Sequence, residues 1–276
     1  MSEAEDFEHM GRVIRDEMRI EAPPDVVYRA WSDPETVTAW FVGRMEGRME
    51  AGETVTWHWA DEDPGMSQRV VVAEPPHRLV TRMDLPQGAS YLEVTIEQDG
   101  GHSILRLVQS GFGEGPEWDD EFESMLSGWM VALAILKFFV KRYLGRTRRE
   151  IVVLGDASFE REEILALQRT EGGLSRWLTR SGAPGRTVGE PVRLVLENGA
   201  VLTGTVLRHT SQETLWSWDE IDGVVEIKAF RGARWGSKVG LRVSSWMEDA
   251  AELADLEGWL TSVVGKLTDV LTEGIP

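Results

Sequence analysis

The chain has 276 residues, 42% hydrophobic and 28% charged, which describes a folded globular protein with room for one large domain or two of ordinary size. A formal charge of −18, with acid outnumbering base in both halves, argues against a nucleic-acid partner and against anionic membrane surfaces. Cysteine is absent, which removes disulfides, thiolate nucleophiles and cysteine metal sites, and residues 1–10 are acidic, unlike a signal peptide, so the cytoplasm is the expected compartment.

Residues 13–20, "VIRDEMRI", have weak strand character. Pro23 and Pro24 then suit the first turn of a short helix, "PPDVVYRAW", because proline tolerates that position. Ser32-Asp33-Pro34 closes it and starts a second short helix ending near Trp40-Phe41. Alternation follows: Met45, Gly47 and Met49 share one face, and Val55, Trp57 and Trp59 share another. Further strands are expected over 68–73, 78–83, 91–97 and 103–109, the last two joined by the turn "EQDGGHS". "GFGEG" at 111–115 reads as a hinge, since it lacks the lysine of a phosphate loop. Helical periodicity then runs from Glu117 to about Leu144. Its most apolar stretch, Trp129 to Val140, is short for a membrane span and reads as a buried helix face.

The second half runs through the same order. A strand at 150–154 is followed by a helix over 156–168, capped by Asp156 or Ser158, and a short helix ending at Trp177. Strands follow at 192–196, 201–209, 213–218, 224–230 and 238–245. A closing helix runs from Met247 or Glu248 to Leu271, with Leu253, Leu256, Leu260, Val264, Leu267 and Leu271 on its stripe. Trp40 and Trp177 are 137 residues apart, while the Gly128-Trp129 and Gly258-Trp259 pairs are 130 apart, which describes an imperfect duplication. The two glycines are expected to let the helix backbone approach a curved sheet, with tryptophan filling the space beside it.

An antiparallel sheet with one face to bury, and one long helix to cover it, predicts an α+β fold of two layers in each half. The segments "RIEAPPDVVYRAWSDPETVTAWF" (19–41), "GRMEAGETVTWHW" (47–59), "VVVAEPPHRLVTRM" (70–83) and "LSGWMVALAILKFFV" (126–140) resemble the family of activator-of-heat-shock-ATPase homologues, within the START-like (SRPBCC, helix-grip) superfamily. The resemblance covers residues 11–147 and, extended by the internal repeat, implies two tandem helix-grip domains, 1–147 and 148–276. The second is a smaller, degenerate copy with "LALQRTEGG" in place of the "WSDPE" link. It also implies a groove between helix and sheet, used by relatives for apolar small molecules or accompanied by chaperone binding, and it carries over no catalytic set.

The residues themselves point the same way. No His pair, nucleophile elbow or dinucleotide fingerprint is present, so neither a catalytic residue nor a metal or cofactor site is expected. Asp61, Glu62 and Asp63 read as a solvated acidic loop. Twelve tryptophans against three tyrosines instead suggest an aromatic lining. Trp40, Trp57, Trp59, Met83, Met125 and Trp129 are the candidate ligand-binding residues of the first domain. The expectation is a non-enzymatic protein that binds a small hydrophobic or amphipathic molecule. A chaperone cofactor or self-associating module is the alternative, to be marked by Phe138 and Phe139 on the helix's outer side. A cyclase- or dehydratase-type enzyme comes third and needs a buried His or Glu inside.

Overall fold

The computed structural model describes residues 11–59, 64–85, 88–232, 236–248 and 255–273. The chain begins with strand β1 (Arg12–Ile20), in which Ile14, Met18 and Ile20 are buried while Arg15, Glu17 and Arg19 face water. Helices α1 (Pro24–Ser32) and α2 (Pro34–Thr38) follow, each with proline in its first turn. The carboxylate of Asp33 caps α2 by accepting the Thr36 N–H at 2.9 Å. Six more strands come next: β2 (Arg44–Glu46), β3 (Thr54–His58), β4 (Met66–Glu74), β5 (Arg78–Leu85), β6 (Gly88–Asp99) and β7 (His102–Phe112). They form one antiparallel sheet in the order β1-β7-β6-β5-β4-β3-β2. Helix α3 (Asp119–Arg142) closes the half, with Asp119, Asp120 and Glu121 in its first turn and Lys141 and Arg142 in its last, a placement that complements the helix dipole.

The second half repeats this order as β8 (Arg149–Asp156), α4 (Arg161–Arg169), α5 (Glu171–Leu174), β9 (Thr179–Ala183), β10 (Pro191–Leu196), β11 (Val201–His209), β12 (Thr214–Trp218), β13 (Gly223–Gly232), β14 (Gly236–Ser245) and α6 (Leu256–Glu273). Its sheet order is β8-β14-β13-β12-β11-β10-β9, the same topology as the first. Both halves are therefore helix-grip folds, and the α+β tandem arrangement stands. The compact units are residues 1–122 with 132–147, and 123–131 with 148–276, so one stretch of α3 groups with the second unit.

The duplication is visible in single hydrogen bonds. The Trp40 indole N–H donates to the Ala30 carbonyl at 2.7 Å, and the Trp177 indole N–H donates to the Leu167 carbonyl at 3.1 Å, ten residues back in both cases. Thr170 caps α5 by accepting the Gly173 N–H at 2.9 Å, the role Asp33 has for α2. Trp40 and Trp177, Ala30 and Leu167, Asp33 and Thr170, and Thr36 and Gly173 all share the 137-residue offset. The "LALQRTEGG" segment thus does the work of "WSDPE" with different residues. The second unit buries Trp177, Leu194, Trp216, Ile227, Leu241, Leu260, Val264 and Leu267 in one core, and each such side chain stabilises by about 1.5–3 kcal/mol.

Several expectations are corrected. The second sheet is not smaller: β9 brings it to seven strands. Helix α4 begins at Arg161, not Asp156, because Asp156 is paired with Lys238 at the end of β8. Met247 and Glu248 are not helical, α6 is described from Leu256, and Leu253 lies outside the described residues, as do Asp61, Glu62 and Asp63. Strand β2 stops at Glu46 because Gly47 adopts φ +86°, where a side chain would meet the Thr54 carbonyl oxygen. Residues 116–142 are long and apolar enough to cross a membrane by length and composition, and most of that stretch is buried inside the protein.

The reading of the two helix glycines also changes. A Cβ built on Gly128 or Gly258 meets no neighbouring atom within 4 Å, so neither marks a close approach of backbone to sheet. Trp129 is buried beside the first, and Trp259 is half-buried against the second unit's core. With the space open and the backbone helical, Gly128→Ala and Gly258→Ala are expected to stabilise the protein by about 0.5–1 kcal/mol each. Urea unfolding of the two variants checks this, and a loss of stability in either would restore the close-approach reading at that position.

Candidate functional site

Strand alternation decides what the first unit's sheet turns inward. On β3, Val55 and Trp57 are buried on the inner face, and Trp59 follows with the same parity. The end of α2 delivers Trp40 and Phe41 to the same place. Phe41 is the hub: its ring stacks on Trp40 at 4.9 Å and meets Trp57, Trp59 and Trp31 at 5.2, 5.9 and 6.3 Å. Trp57 and Trp59 meet edge to face at 6.4 Å, and Trp31 and Trp40 at 5.2 Å. Five aromatic rings thus form one cluster, with Trp40 sealed at its base and Trp59 half-buried at its margin.

Polar groups enter this interior at a few inward positions. Gln68 on β4 lies opposite Val55 of β3, and Thr81 on β5 lies opposite Val70. The Thr81 hydroxyl donates to Gln68 Oε1 at 2.7 Å, while the Ser90 hydroxyl donates to the Ser110 carbonyl at 2.8 Å. Two buried donors, the indole N–H of Trp57 and the Nε2 amide of Gln68, have no hydrogen-bond partner. Leaving such a group unsatisfied costs about 1–3 kcal/mol. The phenol of Tyr28 on α1 is likewise buried without a partner, and burial, helped by Glu74, pushes its pKa above the ordinary value, so it stays neutral.

The six sequence-derived residues are distributed as follows. Trp40 and Trp57 are buried in the cluster and Trp59 lies at its edge. Met83 is half-buried on β5 opposite Ser90 of β6. Half-buried Met125 and buried Trp129 fall within 123–131, the stretch that groups with the second unit. Sequence reasoning missed Phe41, hidden behind Trp40 at a helix end, and Gln68, although its parity with Val70 would have placed it inward. Phe138 and Phe139, expected on an outer side, are both buried, and Phe138 packs edge-on against Tyr143 at 5.6 Å. Among the described residues no group of three His, Asp or Glu side chains is arranged to hold a metal. His58 is buried on the outer face of its strand, 3.7 Å from Glu46.

The second unit holds a buried ionic cluster on its other face. Glu226 on β13 accepts from Lys228 at 2.8 Å and from Arg242 of β14 at 2.5 Å, and Glu213 lies 3.4 Å from Lys228. Glu150 on β8 accepts from Arg148 at 3.0 Å. Ser127, in the α3 stretch that belongs to this unit, donates to Glu213 at 2.8 Å. The strand neighbours Val225, Ile227 and Leu241 point into the apolar core, so alternation places these charges on the opposite face. Burial pushes the Glu213 carboxyl up to about 7, against the pull of Lys228 and with the push of Glu226. Burial opposes ionisation of Glu226 as well, but Arg242 and Lys228 outweigh it and hold that carboxyl below its ordinary value. His209, the last residue of β11, is held down at about 4 by burial and by Arg169.

A pH dependence follows from these shifts. The folded chain holds the Glu213 proton more tightly than the unfolded chain, whose carboxyl titrates near 4.5. Its stability contribution is therefore complete below about 4.5 and is lost as pH rises through about 7. Glu226 acts in reverse: its contribution is present above 4.5 and is lost on acidification. The lowered His209 works the other way, adding stability as pH rises from about 4 to 6.5. Urea unfolding across pH is therefore expected to show the Glu213 decline largely offset, and Glu213→Gln is expected to remove that decline and let stability climb with pH. An unchanged slope in the variant would remove Glu213 as its cause.

With this geometry in place, the family likeness falls on the first half of the chain. Residues 21–141 match the family model described as Activator of Hsp90 ATPase homolog 1-like protein, the family whose resemblance the sequence carries. No curated protein sequence matches the chain. Among solved structures, the Aha1 dimer from Colwellia psychrerythraea is similar at 18% identity, over 49% of this chain and 99% of that one, with a TM-score of 0.44. The di-domain ARO/CYC BexL from the BE-7585A biosynthetic pathway is similar at 12% identity, over 96% of this chain and all of that one, with a TM-score of 0.43. CalU16 from Micromonospora echinospora is similar at 25% identity, over 47% and 76%, with a TM-score of 0.40. At these scores none of the three bears on what this chain binds.

Proposed function

We propose that the first unit binds a small hydrophobic or amphipathic molecule between its sheet and its helix, without catalysing a reaction on it, in the cytoplasm. The observation that carries this reading is the five-ring cluster around Phe41 combined with buried polar groups that the fold leaves unsatisfied. Ligand sites are mostly apolar and aromatic, with a few polar groups that set orientation. An ordinary core has little reason to keep a buried donor without a partner. Trp40 is the scaffold of the site, since its indole N–H is committed to the Ala30 carbonyl, while Trp57 and Trp59 offer the rings nearest the margin. Met83 belongs to the proposal as adaptable apolar lining, whereas Met125 and Trp129 fall in the stretch that groups with the second unit and are not part of it.

The family model favours a second reading, a chaperone cofactor, for the same residues. Burial of Phe138 and Phe139 removes the apolar outer face on which that reading relied. An enzymatic role is the least supported. The buried glutamates Glu93, Glu213 and Glu226 are engaged with Arg78, Lys228 and Arg242 on outward strand positions.

Native mass spectrometry of protein purified without denaturation is expected to show a bound small molecule, and binding of added apolar dyes to the emptied protein is expected to quench tryptophan fluorescence. Trp59→Ala is expected to weaken dye binding about tenfold or more while leaving the fold intact, because the ring is only half-buried. Protein that carries no small molecule, binds no dye and instead captures an Hsp90 chaperone would transfer the case to the second reading.

A further inference from the structure

Resting on the reading of the first unit as an apolar ligand site, we infer that its ligand carries a neutral hydrogen-bond acceptor, a carbonyl oxygen, received jointly by Trp57 Nε1 and Gln68 Nε2. Both atoms are sealed from solvent and lack any partner, on side chains only 3% and 5% exposed. The register brings them together: Trp57 lies opposite Met66 and Val55 lies opposite Gln68, so Trp57 and Gln68 are diagonal neighbours on the same inward face. Diagonal pairs lie within reach of one another's long side chains.

The chemistry of the pair selects the ligand. An indole nitrogen can only donate, and the Gln68 carboxamide has its oxygen occupied by Thr81, so both free groups are donors. What satisfies them must accept. The surrounding inward positions, Val55, Val70, Thr81 and Leu92, carry no charge, so a carboxylate would be buried there without a counter-ion. A neutral carbonyl meets both requirements. Phe41 and the edge-to-face indoles of Trp57 and Trp59 favour a flat apolar body behind that oxygen. Half-buried Met83 on β5 and half-buried Trp59, one residue beyond β3, are the side chains placed to move aside for it.

The probe pair 9-fluorenone and fluorene tests this directly, since the two differ only in C=O against CH₂. Their affinities are measured by quenching of tryptophan fluorescence, in the full chain and in Trp57→Phe and Gln68→Met. The ratio of fluorenone to fluorene affinity is expected to fall about fivefold in each variant relative to the unaltered chain. The infrared carbonyl stretch of bound fluorenone is expected at a lower frequency in the unaltered chain than in Trp57→Phe, an effect that loss of packing alone does not produce. If both probes bind and their affinity ratio is the same in all three proteins, the donor-pair inference is overturned while ligand binding stands. If neither probe binds and purified protein carries no small molecule, the reading of the site fails and the inference fails with it.

Discussion

The constraint on which everything else depends is the single apolar face of each seven-stranded antiparallel sheet. Alternation gives every strand an inner and an outer row, and the inner row has to be covered. In the first unit the two short helices after β1 and the later part of α3 supply apolar cover, with Val27, Trp31, Leu136 and Phe139 all buried. In the second unit α4 and α6 bring Ile164, Leu167, Leu260, Val264 and Leu267 to the same core. The indole-to-carbonyl bond from the end of each short-helix pair back to the helix before it locks that cover. The bond recurs at a constant offset while the intervening sequence does not, so the geometry does not depend on those intervening residues.

Elements were legible in the sequence where one local signal governed them. The strands β1, β11 and β13, the proline-led α1 and the long α3 follow alternation, helix-start chemistry and a broad apolar stripe. The failures came where a tertiary partner overrode the local signal. Asp156 reads as a helix cap, yet pairing with β14 keeps it in a strand. Residues 179–183, "TRSGA", show no alternation and become β9 only because β10 supplies a partner. Gly128 and Gly258 illustrate a different limit, because a helix glycine looks the same in sequence whether space around it is tight or open.

The candidate site was legible as composition and parity, but its centre was not. Trp57 and Trp59 announce themselves by spacing along a strand. Phe41 becomes the hub only because α2 ends where β3 is already paired, a coincidence of three segments. Gln68 was visible as a residue and invisible as a donor, since its unsatisfied nitrogen depends on Thr81 having taken the oxygen. Unmet hydrogen bonds are properties of assembled surroundings, and no single-strand pattern encodes them.

The two units differ in where their buried charges and unmet polar atoms lie. In the second, the charged side chains away from the apolar core pair with one another: Glu150, Glu213 and Glu226 face Arg148, Lys228 and Arg242, and Ser127 donates to Glu213, although the Trp216 indole N–H, Gln168 Oε1 and His209 Nε2 of that unit are also buried without a partner. Glu226 holds that arrangement in place, because removing it leaves Arg242 and Lys228 buried with a charge uncompensated. In the first unit the inward polar atoms form an open set, in which donors outnumber the acceptors that reach them. An open set is unfavourable while empty and becomes favourable when an acceptor arrives, which is the energetic condition for a binding site. On the proposed reading, the paired charges of the second copy hold their own arrangement, while the unmet donors of Trp57 and Gln68 in the first are what a ligand would complete.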